Sequence, residues 1–205
     1  MSARRGATRR KKKVMSSIEK WRNKIWVEIK TPLYIDDKVI GETPSSSEES
    51  IIGRTVKIDL MTLTANFKDM NKLITFKIVD LKGNVAHTEF FRYELSRDFI
   101  RSQVRNHRSR IDGIYNLTLK DKSKLRITLT CVTPIRVKTS EQKVIRKIMQ
   151  ETLMELVGDL TFQSFVTNLL QNKFAEQIQE KVEEYFPVKV FEVNKVKVLK
   201  FPEAD

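Results

Sequence analysis

Apolar side chains recur at every second position through much of the first two thirds of this chain. The segments with this period are 25–29, 56–60, 74–78, 111–119 and 125–131, and residues 90–91 lie in a further extended run after a turn at Gly83-Asn84. A period of two places alternate side chains on opposite faces of a β-strand, so each segment is predicted to be a strand. The turn at 120–124 would pair the last two segments. The pattern therefore predicts a mostly antiparallel sheet that curls into a barrel-like shape.

The apolar period changes to that of a helix after residue 139. Thr139 and Gln142 have the spacing of a capping box, which predicts the start of a helix, and Gly158 is predicted to end it. A second helix is predicted to begin near Thr161, and a third is predicted to end before Pro187. The end of the chain thus contributes a helical segment to the fold.

Residues 188–199 return to the period of a strand, and a slip in their alternation between Val190 and Phe191 predicts a β-bulge. Residues 43–50, with the sequence TPSSSEES, are predicted to be a polar surface loop. The predicted fold class is α+β, with a mostly antiparallel barrel-like sheet, one inserted basic helix and a C-terminal helical segment. The predicted divisions are a disordered basic arm at 1–20, a barrel-like β domain at 21–135 with its inserted helix at about 96–108, a helical segment at 136–186, and a return strand and tail at 187–205.

The inserted helix is predicted from residues 92–110, RYELSRDFIRSQVRNHRSR, which contain six arginines, two acids and no lysine. Ser96 can cap a helix, and Asp98 would lie in its first turn, where the helix dipole favours an anion. At 100° per residue, four arginines fall within about 80° of arc: Arg97, Arg101, Arg105 and Arg108. Arginine pairs with phosphate through two parallel hydrogen bonds. A solvated helix face with surface ion pairs is the alternative, but the segment has too few acids to pair its arginines, so we expect RNA contact.

The basic arm at 1–20 is a second candidate for contact with a polyanion. Its first thirteen residues, MSARRGATRRKKK, contain seven bases and no acid: Arg4, Arg5, Arg9, Arg10, Lys11, Lys12 and Lys13. Such a block repels itself and is expected to become ordered only on an anionic partner. A nuclear-import signal or a membrane-tethering patch would look alike, but the chain shows no lipidation motif or adjacent amphipathic helix, and stable anchoring generally needs two signals. RNA is therefore the predicted partner.

Further bases are expected to extend the same surface: Arg22, Lys24, Arg92, His107, Arg110, Lys124, Arg126, Arg136, Lys138, Lys143, Arg146 and Lys147. Trp21, Trp26 and Tyr34 could stack on unpaired bases, or they could pack in the core. The net charge of +13 and the pI near 9.8 are typical of a nucleic-acid binder, and would also suit an anionic membrane surface. Residues 148–186 contain two lysines and seven acids, so a polyanion should avoid the helical end.

No catalytic or metal-binding pattern is found. Cys131 is the single cysteine, which excludes an internal disulfide and indicates a reducing, cytoplasmic setting. The two histidines, His87 and His107, are too few for a zinc site with one cysteine, and the six glycines are isolated, so no phosphate-binding loop exists. The N-terminus lacks the apolar core of a signal peptide, and the longest uncharged run, 160–172, is too short to cross a bilayer. The sequence predicts neither a cofactor nor a small-molecule substrate.

Several segments carry a family resemblance: WVEIKTP (26–32), IGETP (40–44), IIGRTV (51–56), LTANF (63–67), FKIVDLKGN (76–84), ELSRDFIRSQVRNHRSRID (94–112), RVKTSEQ (136–142) and IRKIM (145–149). The chain resembles the S3Ae (eS1) family of small-subunit ribosomal proteins of archaea and eukaryotes. Glu141 stands where the family pattern has glutamine, and Lys122-Ser123 replaces a turn of the Asp-Gly kind.

The resemblance implies a non-catalytic structural protein with a barrel-like sheet and helices. It would lie on the platform of the small ribosomal subunit in the cytoplasm, near the messenger exit and the 3′ end of the rRNA. Its partners would be small-subunit rRNA, neighbouring ribosomal proteins and an initiation factor. The alternatives are a free RNA chaperone or translation factor that uses the same basic surface, an RNA-modifying enzyme or nuclease, and a membrane-surface protein.

Overall fold

The computed structural model of the protein describes residues 21–22 and 24–202. The predicted basic arm at 1–20 and the last residues of the tail lie outside the described residues. The strands are β1 Ile25–Lys30, β2 Val39–Ser45, β3 Thr55–Asp59, β4 Lys72–Lys82, β5 Val85–Leu95, β6 Arg110–Thr118, β7 Lys124–Val132 and β8 Val190–Lys200. The α-helices are α1 Leu60–Thr64, α2 Arg97–Gln103, α3 Thr139–Val157, α4 Phe162–Leu170 and α5 Lys173–Glu183. Short 3-10 turns lie at Leu33–Ile35, Glu48–Ser50 and Phe67–Asp69.

The long strand β5 organises the sheet. Along one edge it pairs with β4 over its whole length, from Leu95 opposite Lys72 to Val85 opposite Lys82. Its other edge is divided, since β1 pairs with it at one end and β8 at the other. The β1–β5 pair is parallel and the other six strand pairs are antiparallel. The predicted α+β class with a mostly antiparallel sheet is therefore confirmed.

The sheet does not close into a barrel. Within the described part of the chain, β2, β3 and β6 each pair with a single neighbouring strand. Because the edge of β5 is divided between β1 and β8, the sheet separates into two arms. The smaller arm continues from β5 through β1 to β2, and the larger arm continues through β8 and β7 to β6. Each arm has a hydrophobic core of its own. The smaller core contains Val27, Ile29, Ile51, Ile78 and Ala86.

Helices α3, α4 and α5 cover one face of the larger arm, and we call them the helical layer. The Tyr115 hydroxyl of β6 donates a hydrogen bond of 2.7 Å to the backbone carbonyl of Arg146 in α3. Gly113 is required two residues before it, because any side chain there would collide with the Tyr115 ring. Phe165 and Phe174 stack between α4 and α5 with their ring centroids 5.1 Å apart. The opposite face of the larger arm is left open.

Two boundaries in the N-terminal half differ from the sequence prediction. Leu60 was predicted to end a strand, but it begins α1, because it and Leu63 are three residues apart and both are buried. Residues 43–50 were predicted to be a loop, but β2 runs as far as Ser45. Thr43 and Pro44 pair with Val27 and Trp26 of β1.

Two boundaries in the C-terminal half also differ. The register of β8 is continuous at Val190 and Phe191 and shifts instead at Asn194 and at Leu199, which have no β7 partner. The Asn194 amide donates a hydrogen bond to the Thr130 hydroxyl at 3.1 Å. The cap of α3 is formed by Glu141 rather than by the Thr139–Gln142 pair, since the Glu141 carboxylate accepts the Lys138 backbone N–H at 3.1 Å. The predicted ends near Gly158 and Thr161 are confirmed: α3 ends at Val157, and Thr161 caps α4.

Candidate nucleic-acid interface

The predicted RNA-binding residues lie in separate parts of the fold. Ten residue steps separate Val85 from Leu95 along β5, which corresponds to about 33 Å. Arg22 and Lys24 precede β1, near the Val85 end. Lys124 and Arg126 lie at the hairpin end of the β6–β7 pair, while Arg110 lies at its other end, opposite Val132.

The arginine helix is shorter than the sequence predicted. Helix α2 ends at Gln103, and Val104 already has extended backbone angles of φ −82° and ψ 112°. Because β6 must begin at Arg110 to pair with β7, the chain turns back before the predicted end of the helix near residue 108. The Arg108 guanidinium donates a hydrogen bond of 3.1 Å to the Gln103 carbonyl, which stabilises the helix C-terminus. Only Arg97 and Arg101 therefore share a helical face.

Hydrogen bonds at Ser109 bring two basic segments together after α2. The Ser109 carbonyl accepts the Thr133 backbone N–H at 3.0 Å, and its hydroxyl accepts the Val137 N–H at 2.9 Å. The Arg146 side chain of α3 donates to the Asp112 carbonyl at 3.0 Å. These contacts place the loop after α2 beside residues 133–138 and the start of α3. We call this region the arginine end, and its predicted RNA-binding residues are Arg97, Arg101, Arg105, His107, Arg108, Arg110, Arg136, Lys138, Lys143, Arg146 and Lys147.

The bases of the arginine end divide into engaged and free side chains. Three arginines are engaged, in that their side chains bind other groups of the protein. Arg108 and Arg146 donate hydrogen bonds to backbone carbonyls, and Arg110 pairs with Asp112 at 3.0 Å. Lys147 pairs with Glu151 at 3.6 Å, with both side chains largely exposed. Within the described residues, six exposed arginines and lysines of the arginine end make no hydrogen bond or ion pair through their side chains: Arg97, Arg101, Arg105, Arg136, Lys138 and Lys143. The engaged bases shape this surface, and the free ones are available to an anion.

The open face of the sheet carries a row of bases across its strands. Arg126 lies opposite Lys197, Lys197 lies opposite Arg92, and Arg92 lies opposite Thr75, which faces Lys57. Directly opposed residues project from the same face of an antiparallel pair. Lys195 occupies the same face beside Glu94. Sequence reasoning missed Lys57, Lys195 and Lys197, since Lys57 lies on β3, the two others lie on β8, and only the pairing register brings the two strands' lysines onto one face.

Glu94 lies at the centre of this row. Its carboxylate pairs with Arg92 at 2.8 Å, with Lys195 at 3.1 Å and with Lys57 at 3.8 Å. Burial alone would raise the pKa of Glu94, but hydrogen bonds from Lys195 and Arg92 outweigh burial and hold the pKa below its ordinary value. The carboxylate is therefore ionised at neutral pH and fixes the orientation of three cations on the open face.

The helical layer on the other side of the sheet is acidic. Its exposed acids are Glu151, Glu155, Glu176, Glu180 and Glu183, followed by Glu184 directly after α5. Lys181 pairs with Glu155 at 2.7 Å, which joins α5 to α3. The charge segregation that the sequence shows along the chain thus places the exposed acids on α5 and the later part of α3, while the start of α3 belongs to the basic arginine end.

The aromatic residues near β1 are divided between surface and core. Trp21 is 56% exposed and Trp26 is 50% exposed. Tyr34, in contrast, is half-buried, and its hydroxyl accepts the Phe90 backbone N–H at 3.3 Å. Of the two interpretations that the sequence left open, core packing applies to Tyr34 alone.

The described residues offer little reactive chemistry. Burial raises the pKa of the Cys131 thiol to about 12, with a further contribution from the charge of Glu183, so this thiol is a poor nucleophile. In residues 21–22 and 24–202, no group of three or more histidine, cysteine, aspartate or glutamate side chains is arranged to hold a metal ion. None of the described helices combines the length and the apolar character needed to cross a bilayer.

The chain has clear relatives. It matches the Ribosomal S3Ae family over residues 10–202. A protein of Staphylothermus marinus named small ribosomal subunit protein eS1 is 37% identical over 184 residues, which cover 90% of this chain and 87% of the relative. Proteins with the same name from Desulfurococcus amylolyticus and Archaeoglobus fulgidus are 33% and 31% identical and cover 91% and 94% of this chain, respectively, with 88% and 92% of the relatives covered.

Proposed function

The chain belongs to the ribosomal S3Ae family, and we propose that it is a structural rRNA-binding protein of the small ribosomal subunit. The match covers nearly the whole described chain, and it confirms the resemblance seen in the sequence segments. The family consists of structural ribosomal components, so this protein is not an enzyme.

The observation that carries the rRNA-binding proposal is the segregation of charge over the surface. Arginines and lysines lie at the arginine end, where several are free, and on the open face, where most are held by Glu94, whereas the exposed acids of the helical layer lie on α5 and the later part of α3. A surface that neutralises six to ten phosphates binds RNA tightly and loses roughly 10³ to 10⁵ in affinity between 50 and 200 mM salt. The bases on the basic side are numerous enough for that many contacts, and the acidic side would repel the RNA backbone.

The location within the subunit is a further part of the proposal. From the family resemblance, we propose a position on the platform, near the messenger exit and the 3′ end of the rRNA, in cytoplasmic ribosomes. The basic arm at 1–20 would extend the RNA contact. The helical layer would then face neighbouring ribosomal proteins or an initiation factor, because its acids suit the basic surfaces common among RNA-binding proteins.

A high-salt wash distinguishes this function from that of a free RNA chaperone or translation factor. Purified small subunits would be sedimented through sucrose at increasing salt, and the fraction of this protein that remains bound would be measured by immunoblotting. A built-in protein, held by many phosphate contacts and by neighbouring proteins, is expected to stay with the subunit under conditions that remove initiation factors. Complete release together with those factors would favour the free factor.

A further inference from the structure

The two tryptophans of the chain lie next to each other at the start of β1. The ring centroids of Trp21 and Trp26 are 6.3 Å apart, and their planes meet at 87°, an edge-to-face arrangement. The ammonium group of Lys24 lies 4.1 Å from the centroid of the Trp21 ring, a cation–π contact. The Lys24 backbone N–H donates a hydrogen bond to the Trp21 carbonyl at 3.2 Å, which closes the turn between the rings. The two rings and the cation therefore form one local unit.

The exposure of this pair is unusual for tryptophan. Each of the two residues is exposed over half or more of its surface, although tryptophan is among the residues that gain most from burial. The neighbouring Ile25 is also 63% exposed. Clustered exposed apolar groups of this kind mark interaction sites rather than ordinary surface.

The charges around the pair decide what kind of partner fits. Arg22 is exposed, Lys24 covers the Trp21 ring, and the basic sequence of residues 1–13 precedes them in the chain. The nearest acids on the same strand pair, Glu28 and Glu42, oppose each other two positions beyond Trp26 and its partner Pro44. Aromatic rings flanked by cations suit nucleic acid, and the acidic pair confines a polyanion to the end of β1 where the tryptophans lie.

We propose that Trp21 and Trp26 form a stacking site for an unpaired RNA nucleotide, with Lys24 and Arg22 contacting its phosphates. The site rests on the proposed function, since it presumes an RNA partner. It lies about 30 Å along β5 from the arginine end, so it is a separate contact that reads unpaired bases rather than the phosphate backbone alone. The phosphate contacts expected on the rest of the basic surface do not require an unpaired nucleobase.

Intrinsic fluorescence tests this site directly, because the chain contains only these two tryptophans. The full chain would be titrated with a short single-stranded RNA and with an abasic RNA backbone of equal length. Stacking is expected to quench the tryptophan emission with the base-containing RNA and not with the abasic RNA. Substituting Trp26→Ala is expected to weaken binding of the single-stranded RNA by roughly 5- to 100-fold while leaving the abasic RNA unaffected. Trp26→Phe, which keeps a ring, should restore most of the affinity.

Phe67→Ala is the matched control, because Phe67 is also exposed, at 81%, and lies in the turn Phe67–Asp69 away from β1. It should bind both RNAs as the wild type does. Equal binding of both RNAs without quenching, or a Trp26→Ala variant that binds like the wild type, would overturn the stacking site while leaving the proposed function intact. Failure of the full chain to bind any RNA would overturn both. Quenching by ribosomal proteins but not by RNA would assign the pair to a protein contact instead.

Discussion

Glu94 is an acid at the centre of a surface that we expect to bind an anion. Its contacts with Arg92, Lys195 and Lys57 hold these side chains in place before any RNA arrives. This arrangement reduces the entropy that long basic side chains lose on binding. It also leaves one negative charge near the path of the RNA backbone. Glu94 therefore lowers the RNA affinity by repulsion while it orders the three basic side chains.

Replacing Glu94 with glutamine is expected to separate these two effects. The variant should bind RNA roughly fivefold more tightly at low salt, because a repulsion of about 1 kcal/mol is removed. Its free energy of unfolding should fall by about 1 kcal/mol at neutral pH, since the charge-assisted hydrogen bonds weaken. The folded-state pKa of Glu94 is depressed, so its stabilisation is present above the ordinary glutamate pKa and is lost as the pH falls through the lowered value.

Fluorescence anisotropy with labelled RNA and urea unfolding would measure the two quantities. Glu155→Gln is the matched control, because Glu155 also pairs with a lysine but lies on the helical layer. It should leave the RNA affinity unchanged. A Glu94→Gln variant whose RNA affinity is unchanged would show that the open face does not meet the RNA backbone, and weaker binding would show that ordering of the three cations outweighs the repulsion.

Glu192 is a partly buried acid with an incomplete set of partners. One of its carboxylate oxygens is buried and has no hydrogen-bond partner among the described residues. Burial raises the pKa of Glu192; the charge of Lys72 opposes the shift, while Asp69 and Glu176 add to it. A raised carboxyl pKa means that the ionised form destabilises the fold above that pKa, and that this cost disappears as the pH falls below the ordinary glutamate value.

Glu192→Gln is therefore expected to increase the free energy of unfolding at neutral pH, by about 1 kcal/mol. The increase should shrink on acidification, because the wild-type carboxyl then becomes neutral too. Urea unfolding at neutral and at acid pH would measure the difference, with the exposed Glu180→Gln as the control that changes little. A variant less stable than the wild type at neutral pH would mean that the Glu192 charge is favourably paired.

Among the elements, α2 and the loop after it form the most exposed part of the arginine end. Reversing Arg101 and Arg105 to glutamate places two anions where two free cations stand, and neither arginine side chain contacts the core. We expect this double variant to unfold like the wild type but to be excluded from small subunits. Each lost phosphate contact should also lower the slope of log affinity against log salt by about one.

Sucrose gradients of cells expressing the tagged variant would measure incorporation, and circular dichroism would check the fold. Lys173→Glu is the control, because Lys173 is an exposed base in the acidic helical layer. Incorporation of the double variant at the wild-type level would exclude α2 and its loop as an RNA contact.

The sequence predicted the elements better than their pairing. Alternating residues such as Leu125 and Ile127 identify a strand locally, and the helical spacing after Thr139 identifies α3. The register of β5 with β8 depends on contacts distant in the sequence, so neither the open sheet nor the row through Lys197 could be predicted. The predicted end of α2 was wrong for the same reason, since the pairing of β6 overrides the local helix preference at Val104.

Charge is segregated over the described molecule: the open sheet face and the arginine end, which includes the start of α3, are basic, whereas the later part of α3 and α5 are acidic. This polarity would orient the protein as it approaches rRNA, because long-range attraction and repulsion act on different parts of its surface. The tryptophan pair stands apart from both, at the start of β1. The molecule would therefore contact RNA at more than one place while leaving its helical layer to protein neighbours.

Ultraviolet crosslinking in cells, followed by sequencing of the RNA joined to this protein, tests the central proposal most directly. A structural protein of the small subunit should crosslink to one confined region of small-subunit rRNA, and the crosslinks should diminish in the Arg101→Glu, Arg105→Glu double variant. Crosslinks spread over many messenger or transfer RNAs, with no concentration in small-subunit rRNA, would contradict it and indicate a free RNA-binding factor.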